Sequence, residues 1–334
     1  MNGVGTCPVC GEPTAEGARY CEACGGALTP GAAAAAPVTV SGEPPARPCV
    51  DCGAPPEQIA ADRYCQVCGR KQPAPHDHEE LVLPGVVAVT DRGRVHHRNE
   101  DAFACGVADG IVVVMVSDGV SSTADSDRAA ITATAAARDH ALGRLVAGDD
   151  LADAVRGATA RAQEAAAAIG TSTGDDSASC TAVYFAARRV DRLTWRGAVA
   201  WLGDSRAYLF RSDLVRGEVL EQLTVDHSWA TEQIAAGMSP VDALADPRGH
   251  SITRWLGADA VDAEPSVREI DLVAGDVVLV VSDGLWNHVP DEASFHALLA
   301  DRGHGDTLDS VRALVDFANE RGGHDNITVA VATF

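Results

Sequence analysis

Two runs in this chain, VVVMVSDG at 112–119 and VVLVVSDG at 277–284, are apolar until each ends in Ser-Asp-Gly. A strand sends alternate side chains to opposite faces, so one that is apolar throughout has to be covered on both. A chain holding two of them folds in layers, with these strands inside and other elements packed over each side. Asp118 and Asp283 then emerge where each strand leaves the core. In adjacent sheets the two would lie close together, and carboxylates about 5 Å apart repel by roughly 3 kcal/mol at an effective dielectric near 20. Such crowding persists only if protons or cations neutralise it.

From about residue 84 onward, β-rich runs alternate with alanine-rich helical stretches. Strands are expected at 86–90, 111–117, 181–187, 193–202, 206–211, 277–282 and 327–334. Helices are expected at 126–145, 150–169, 229–236, 292–300 and 307–321. Long helices grouped after the early strands, then a β-meander, imply an α+β layered domain over 84–334 rather than βαβ repeats. At 334 residues and 46% hydrophobic, the chain is long enough for that core and for a second unit.

The second unit is written in cysteine. Eight of the 10 cysteines precede residue 69, in four Cys-x-x-Cys pairs. They make two sets: Cys7, Cys10, Cys21 and Cys24, then Cys49, Cys52, Cys65 and Cys68. Two residues between cysteines let one tight turn aim both sulfurs at a single ion, and Gly11, Gly25, Gly53 and Gly69 permit the positive φ that such turns need. Each set suits a closed, structural zinc site in a small ribbon. Few large apolar residues accompany them, so metal must supply the folding energy. The expected division is a ribbon at 1–28, a Pro/Ala/Gly-rich linker at 29–48, a ribbon at 48–70 and a polar linker at 71–83. His76 and His78 in that second linker read as solvated, Cys105 and Cys180 as buried small residues, and Trp195 and Trp201 as core.

Charge narrows the partners. The 26 basic and 48 acidic residues leave a net −22, which repels nucleic acid and anionic membranes and suits a carboxylate site for divalent cations. Residues 1–80 carry five basic residues and ten acidic ones, so the ribbons read as a protein-docking or regulatory module. No run of 18 uncharged apolar residues occurs, and the first ten residues lack a basic start and an apolar stretch. A cytoplasmic protein is expected.

Further oxygen ligands stand at Asn99-Glu100-Asp101 and Asp325-Asn326, and oxygen donors favour magnesium or manganese over zinc. With them, TDRGRVHHRNEDAF, VSDGVSS, WLGDSRAYLF, LTVDHS, ITRWLG, VVSDGLWNHV and GGHDNITVAV stand in the order and approximate spacing of the metal-dependent, type 2C serine/threonine protein phosphatases. From about residue 86 to 334 the chain resembles that family, in its bacterial form. The resemblance implies a central β-sandwich flanked by helix pairs, with a two-metal site at one end. By position, Asp118 would bridge two Mn2+ or Mg2+ ions and the Gly119 carbonyl would bind one. Asp283 and Asp325 would complete the other ion's shell. Glu100 and Asp101 would hold metal-bound waters, and Asp204 would belong to a weaker third site. Residues 226–256 resemble the family's flap beside the site. The implied reaction is hydrolysis of phosphoserine and phosphothreonine on proteins, substrates of serine/threonine kinases, by a metal-activated water.

The chain departs from the family at three places. His96 replaces a common phosphate-binding arginine, so that His96 or the nearby Arg98 meets the phosphate, or His96 is a surface histidine and substrate binding is weakened. Val120 stands where animal members carry a histidine. Asn287 stands where an aspartate often supports the third metal. The alternative is a phosphatase-like scaffold of weak activity that binds phosphoproteins.

Overall fold

The computed structural model describes residues 48–60, 63–120, 125–169, 177–213, 217–289, 291–302 and 307–334, together with the paired strands Gly5–Thr6 (β1) and Pro13–Thr14 (β2). Cys7, Cys10, Cys21 and Cys24 lie outside the described residues.

Two sheets form the centre of the main domain. One has six strands: Gly217–Gln222 (β11), Arg206–Asp213 (β10), Val277–Val281 (β14), Ile327–Thr333 (β15), Val86–Asp91 (β4) and His78–Leu83 (β3), in that order across the sheet. The other has five: Ser266–Val273 (β13), Thr194–Leu202 (β9), Ala182–Arg189 (β8), Ile111–Ser117 (β6) and Ala102–Ala108 (β5). Neighbours are antiparallel throughout. Helices Ser126–Val146 (α1) and Leu151–Ile169 (α2) cover the five-stranded sheet. Asp283–Trp286 (α5), Glu292–Arg302 (α6) and Leu308–Glu320 (α7) cover the six-stranded one. Between β11 and β13 lie Trp229–Ala235 (α3), Pro240–Ala245 (α4) and Leu256–Gly257 (β12), the last paired with Ser179–Cys180 (β7).

The all-apolar strands are explained by three cores in a four-layer stack. On β6, Val112, Val114 and Val116 face the opposite sheet, while Ile111, Val113 and Met115 face α1 and α2. On β14, Val278 and Val280 point between the sheets, and Val277, Leu279 and Val281 point at α5–α7. Every position is therefore buried, and no alternation survives in the sequence. The α1 face toward its sheet is Ala129, Ala133, Ala137 and Ala141, each 0% exposed. Small residues at every fourth position let the helix lie close to the strands and to α2.

The sequence expectation of a linker over 71–83 is corrected here. His78–Leu83 is hydrogen-bonded along β4, from His78 opposite Asp91 to Leu83 opposite Val86, and Leu81 enters the inter-sheet core. The run HEELVL hides this because an edge strand has solvent on one side and carries charge there. His78 stays exposed, as expected, while His76 is partly covered. His78 sits between Asp91 (2.8 Å) and Glu80 (3.0 Å), and His76 contacts the Asp101 carbonyl. Trp195, Trp201, Cys105 and Cys180 are buried as expected. No helix among the described residues is long and apolar enough to cross a membrane.

Candidate metal centres

The two Ser-Asp-Gly strands sit in facing sheets and end at the same edge, so the core that hides their valines aligns their aspartates. Burial, then Asp101, Asp283, Asp204 and Asp325, push the Asp118 carboxyl well above its ordinary range. Burial, then Asp204, Asp325 and Asp101, do the same to Asp283. Burial raises Asp101 and Asp204 to about 6 each, with Asp226 adding repulsion at Asp204. Asp101 Oδ1 and Asp283 Oδ1 are buried without a hydrogen-bond partner. Buried acceptors left unpaired beside like charges are costly, and hard cations are what such oxygens accept. Among the described residues only four thiols gather three or more ligand atoms within 4.8 Å. The carboxylate donor set fits magnesium or manganese.

Asp118, Asp101 and the segment carrying Glu100 are held by hydrogen bonds with residues distant in sequence. The Asp118 N–H donates to Thr181 Oγ1 (3.0 Å), and its carbonyl accepts the Thr181 N–H (2.7 Å). Ser282, the serine of the second repeat, donates to Asp101 Oδ2 at 2.6 Å and accepts the Thr328 N–H at 2.9 Å. The Asn326 side chain accepts the Glu100 N–H (2.8 Å) and donates to the Arg92 and Arg98 carbonyls. Gly119 has no room for a side chain, since a Cβ there would stand 2.6 Å from the Glu100 carbonyl oxygen. Thr181, Ser282 and Asn326 escape a search for ligands because they hold backbone groups and, for Ser282, another residue's carboxylate, rather than ions. The repeated serine and the Asp-Asn pair were their only sequence signals.

The remaining expected residues are also near the cluster. Glu100, 4% exposed, accepts Arg98 at 2.6 and 2.9 Å and Ser126 Oγ at 2.5 Å. Arg98 lies 3.8 Å from Asp127 as well, so its guanidinium is already engaged. His96 Nε2 is 3.3 Å from Asp325 Oδ1, and its Nδ1 is 3.7 Å from Glu100 Oε2. Asn287 Nδ2 donates to Asp283 Oδ2 at 3.0 Å. Arg206 of the GDSR run, unassigned in the sequence, grips both oxygens of Asp226 (2.9 and 2.6 Å) and lies 3.5 Å over the Trp286 ring. It ties the start of the 226–256 segment to the helix that begins with Asp283.

The second centre is sulfur. Cys49 and Cys68 Sγ are 3.6 Å apart, and Cys52 and Cys65 Sγ 3.7 Å. Zinc–sulfur bonds of about 2.3 Å in a tetrahedron set neighbouring sulfurs about 3.8 Å apart, so the cage has zinc dimensions. Gly53 and Gly69, at φ +70° and +74°, close the two turns by donating N–H to the Cys49 and Cys65 carbonyls. The Cys52 N–H, the largest influence on Cys49, helps hold that thiol down to about 6. Cys68, despite the Arg70 N–H, is pushed up to about 12 by desolvation and its thiol neighbours. Four thiolates set this close repel one another unless a cation lies between them.

Residues 91–317 match the family model described as protein phosphatase 2C, and residues 7–72 match the double zinc ribbon. The chain belongs to the protein phosphatase 2C family and carries an N-terminal double zinc ribbon. It is 30% identical over 246 residues to the serine/threonine phosphatase stp of Listeria monocytogenes, covering 72% of this chain and 92% of that protein. Protein phosphatase PhpP of Streptococcus pneumoniae is 37% identical over 135 residues; that match takes in 40% of this chain and spans about half, 51%, of PhpP. The crystal structure of the Mycobacterium tuberculosis serine/threonine phosphatase PstP/Ppp superimposes with a TM-score of 0.56 at 26% identity, over 75% of this chain and 97% of that one.

Proposed function

We propose that this chain hydrolyses phosphoserine and phosphothreonine on proteins, with Asp118, the Gly119 carbonyl, Asp283 and Asp325 holding two magnesium or manganese ions and Asp204 serving a weaker third site. The observation that carries this is the buried cluster of mutually repelling carboxylates, with unpaired oxygens on Asp101 and Asp283, where two facing strands end. Bound there, the ions supply Lewis acidity to a water and to the phosphoryl group. Asp101, fixed by Ser282, and Glu100, fixed by Arg98 and Ser126, orient the water. His96, between Asp325 and Glu100, stands where it could turn a donor toward a phosphoryl oxygen. Arg98 instead positions Glu100.

The test is manganese- or magnesium-dependent phosphate release from an aryl phosphate and from a phosphothreonine peptide. Asp118→Ala abolishes it. Absence of turnover with either ion, in protein shown to be folded, overturns the reading. The two basic residues separate by kinetics. His96→Ala raises KM about 10-fold with a smaller change in kcat, as loss of a substrate contact does. Arg98→Ala lowers kcat by about 10-fold with KM little changed, because Glu100 loses its partner. A larger KM effect at Arg98 than at His96 would reverse the assignment.

Each ribbon holds one structural zinc, so the purified chain carries two by elemental analysis. One or none counts against two ribbons. A protein partner suits them better than nucleic acid, given five basic and ten acidic residues over 1–80. Thiolate zinc sites persist where thiols stay reduced, which supports a cytoplasmic location. Residues 1–28 and 48–70 would be the ribbons, 29–48 the tether between them, and the phosphatase domain would begin at β3.

A further inference from the structure

Between the second ribbon and β3 the chain makes a series of specific contacts that a tether has no need of. Arg63, inside the ribbon two residues before Cys65, is held at φ +69°, a left-handed conformation that an arginine adopts only under constraint. Its carbonyl accepts the Gln72 N–H at 2.7 Å, and its guanidinium donates to the Gln72 carbonyl and lies 3.8 Å from Asp77 Oδ2. Gln72 in turn donates to Cys49 Sγ at 3.3 Å and accepts the Val50 N–H. Asp77, 8% exposed, accepts the Ala74 N–H at 2.7 Å and lies 3.5 Å from Arg92, while its carbonyl takes the Arg92 N–H at 2.8 Å. This ties one short turn to the zinc cage at one end and to β4 at the other.

His76 rides on that turn. Its Nε2 is 2.8 Å from the backbone carbonyl of Asp101, and its Nδ1 is 3.0 Å from Glu79. The His76 carbonyl accepts Asn99 Nδ2 at 3.0 Å, and the same amide nitrogen reaches Thr90 Oγ1 at 2.9 Å. Segment 99–101 is therefore gripped from the ribbon side at Asn99 and at Asp101.

We propose that residues 72–80 act as a splint, in which the folded second ribbon, through Arg63 and Asp77, holds His76 against the Asp101 carbonyl and so sets the position of the Asp101 carboxylate. His76 is a positioning residue: it contacts the backbone of a site residue and no reacting atom. Ribbon and phosphatase domain are then thermodynamically linked, so loss of the thiolate cage loosens segment 99–101 and weakens the divalent-ion site. The ion-binding half of this claim rests on the two-metal reading above; the backbone half does not.

The experiment uses the full chain in four forms: wild type, His76→Ala, Cys65→Ser and the double variant, with His76→Gln as the conservative control. Amide hydrogen exchange over 99–101 is measured without manganese, and manganese affinity by calorimetry. In His76→Ala, exchange over 99–101 rises about 10-fold and manganese binds about 5–10-fold more weakly, while the melting temperature of the main domain is unchanged. His76→Gln, which keeps a donor, returns both within about 2-fold. Cys65→Ser, with zinc content reduced by one, gives similar changes, and the double variant adds little to either, the mark of one shared path. Unchanged exchange over 99–101 in Cys65→Ser, or fully additive effects, overturns the splint. A wild type that binds no manganese would instead count against the two-metal reading, and the exchange data would still decide on the splint.

Discussion

Replacing Asp118 by asparagine abolishes turnover and, in buffer free of magnesium and manganese, makes the protein harder to unfold near neutral pH. The loss of activity is about 1,000-fold or more, since the charge that holds the cations is gone. The gain in stability follows from the sign of the Asp118 shift. Burial and four neighbouring aspartates raise its folded-state pKa, so the native protein keeps a proton that the unfolded chain sheds near pH 4. The stability this proton contributes is complete below about pH 4 and is lost as pH rises through the folded value. Asp101 and Asp204, at about 6, show where the first losses fall. An asparagine at 118 never ionises, so the variant is spared the loss that belongs to Asp118, while those of Asp101 and Asp204 remain. Its advantage is about 1–3 kcal/mol at pH 7.5 and close to zero at pH 3.5. Manganese reverses the order, because ligand binding stabilises the wild type and not the variant. Denaturant unfolding at both pH values, with and without manganese, checks all of this. Equal stabilities at pH 7.5 without metal would mean that the carboxylates do not repel as their geometry indicates.

Gly284→Ala is the second large effect. A Cβ at Gly284 would stand 1.9 Å from the Asn326 carbonyl oxygen, 2.8 Å from its carbon and 3.3 Å from Ile327 Cα. All three are backbone atoms leading into β15, so no flexible tip can yield. The substitution pushes the turn carrying Asp283 away from the one carrying Asp325 and Asn326. We expect destabilisation of about 3 kcal/mol and loss of activity, since the Asn326 side chain also carries the Glu100 N–H. The matched control is Gly143→Ala, on the exposed side of α1 with nothing within 4 Å of the new Cβ. Helix propensity alone then acts, and that variant gains about 0.5–1 kcal/mol. Urea midpoints of the two proteins decide, and a Gly284→Ala chain as stable as wild type would mean that this contact is not made.

Reading the strands from the sequence succeeded and failed along one line. All seven expected strands appear, within one or two residues at either end, and they are β4, β6, β8, β9, β10, β14 and β15. Each lies in the interior of its sheet. The four long strands that went unread, β3, β5, β11 and β13, are the outermost strands of the two sheets. An interior strand has neighbours on both edges and cores on both faces, and its apolar composition announces that. An edge strand such as HEELVL or SVREIDLV keeps charged residues toward water, and its pattern resembles a loop.

The chemistry divides in the same way. Aspartates at the ends of buried strands, and cysteines in pairs, could be singled out as candidates from residue type, spacing and the order of the family's motifs, although the roles given to them are proposals. Which residues are candidates was set by the sequence alone. Which side chains hold them was decided only in three dimensions: Ser282 on Asp101, Asn326 on Glu100, Arg206 on Asp226, and His76 on the Asp101 carbonyl. These pairs lie between 20 and 226 residues apart in the chain. A hydrogen bond of that span leaves no local periodicity, so its partner is set by how the sheets stack rather than by any neighbouring residue.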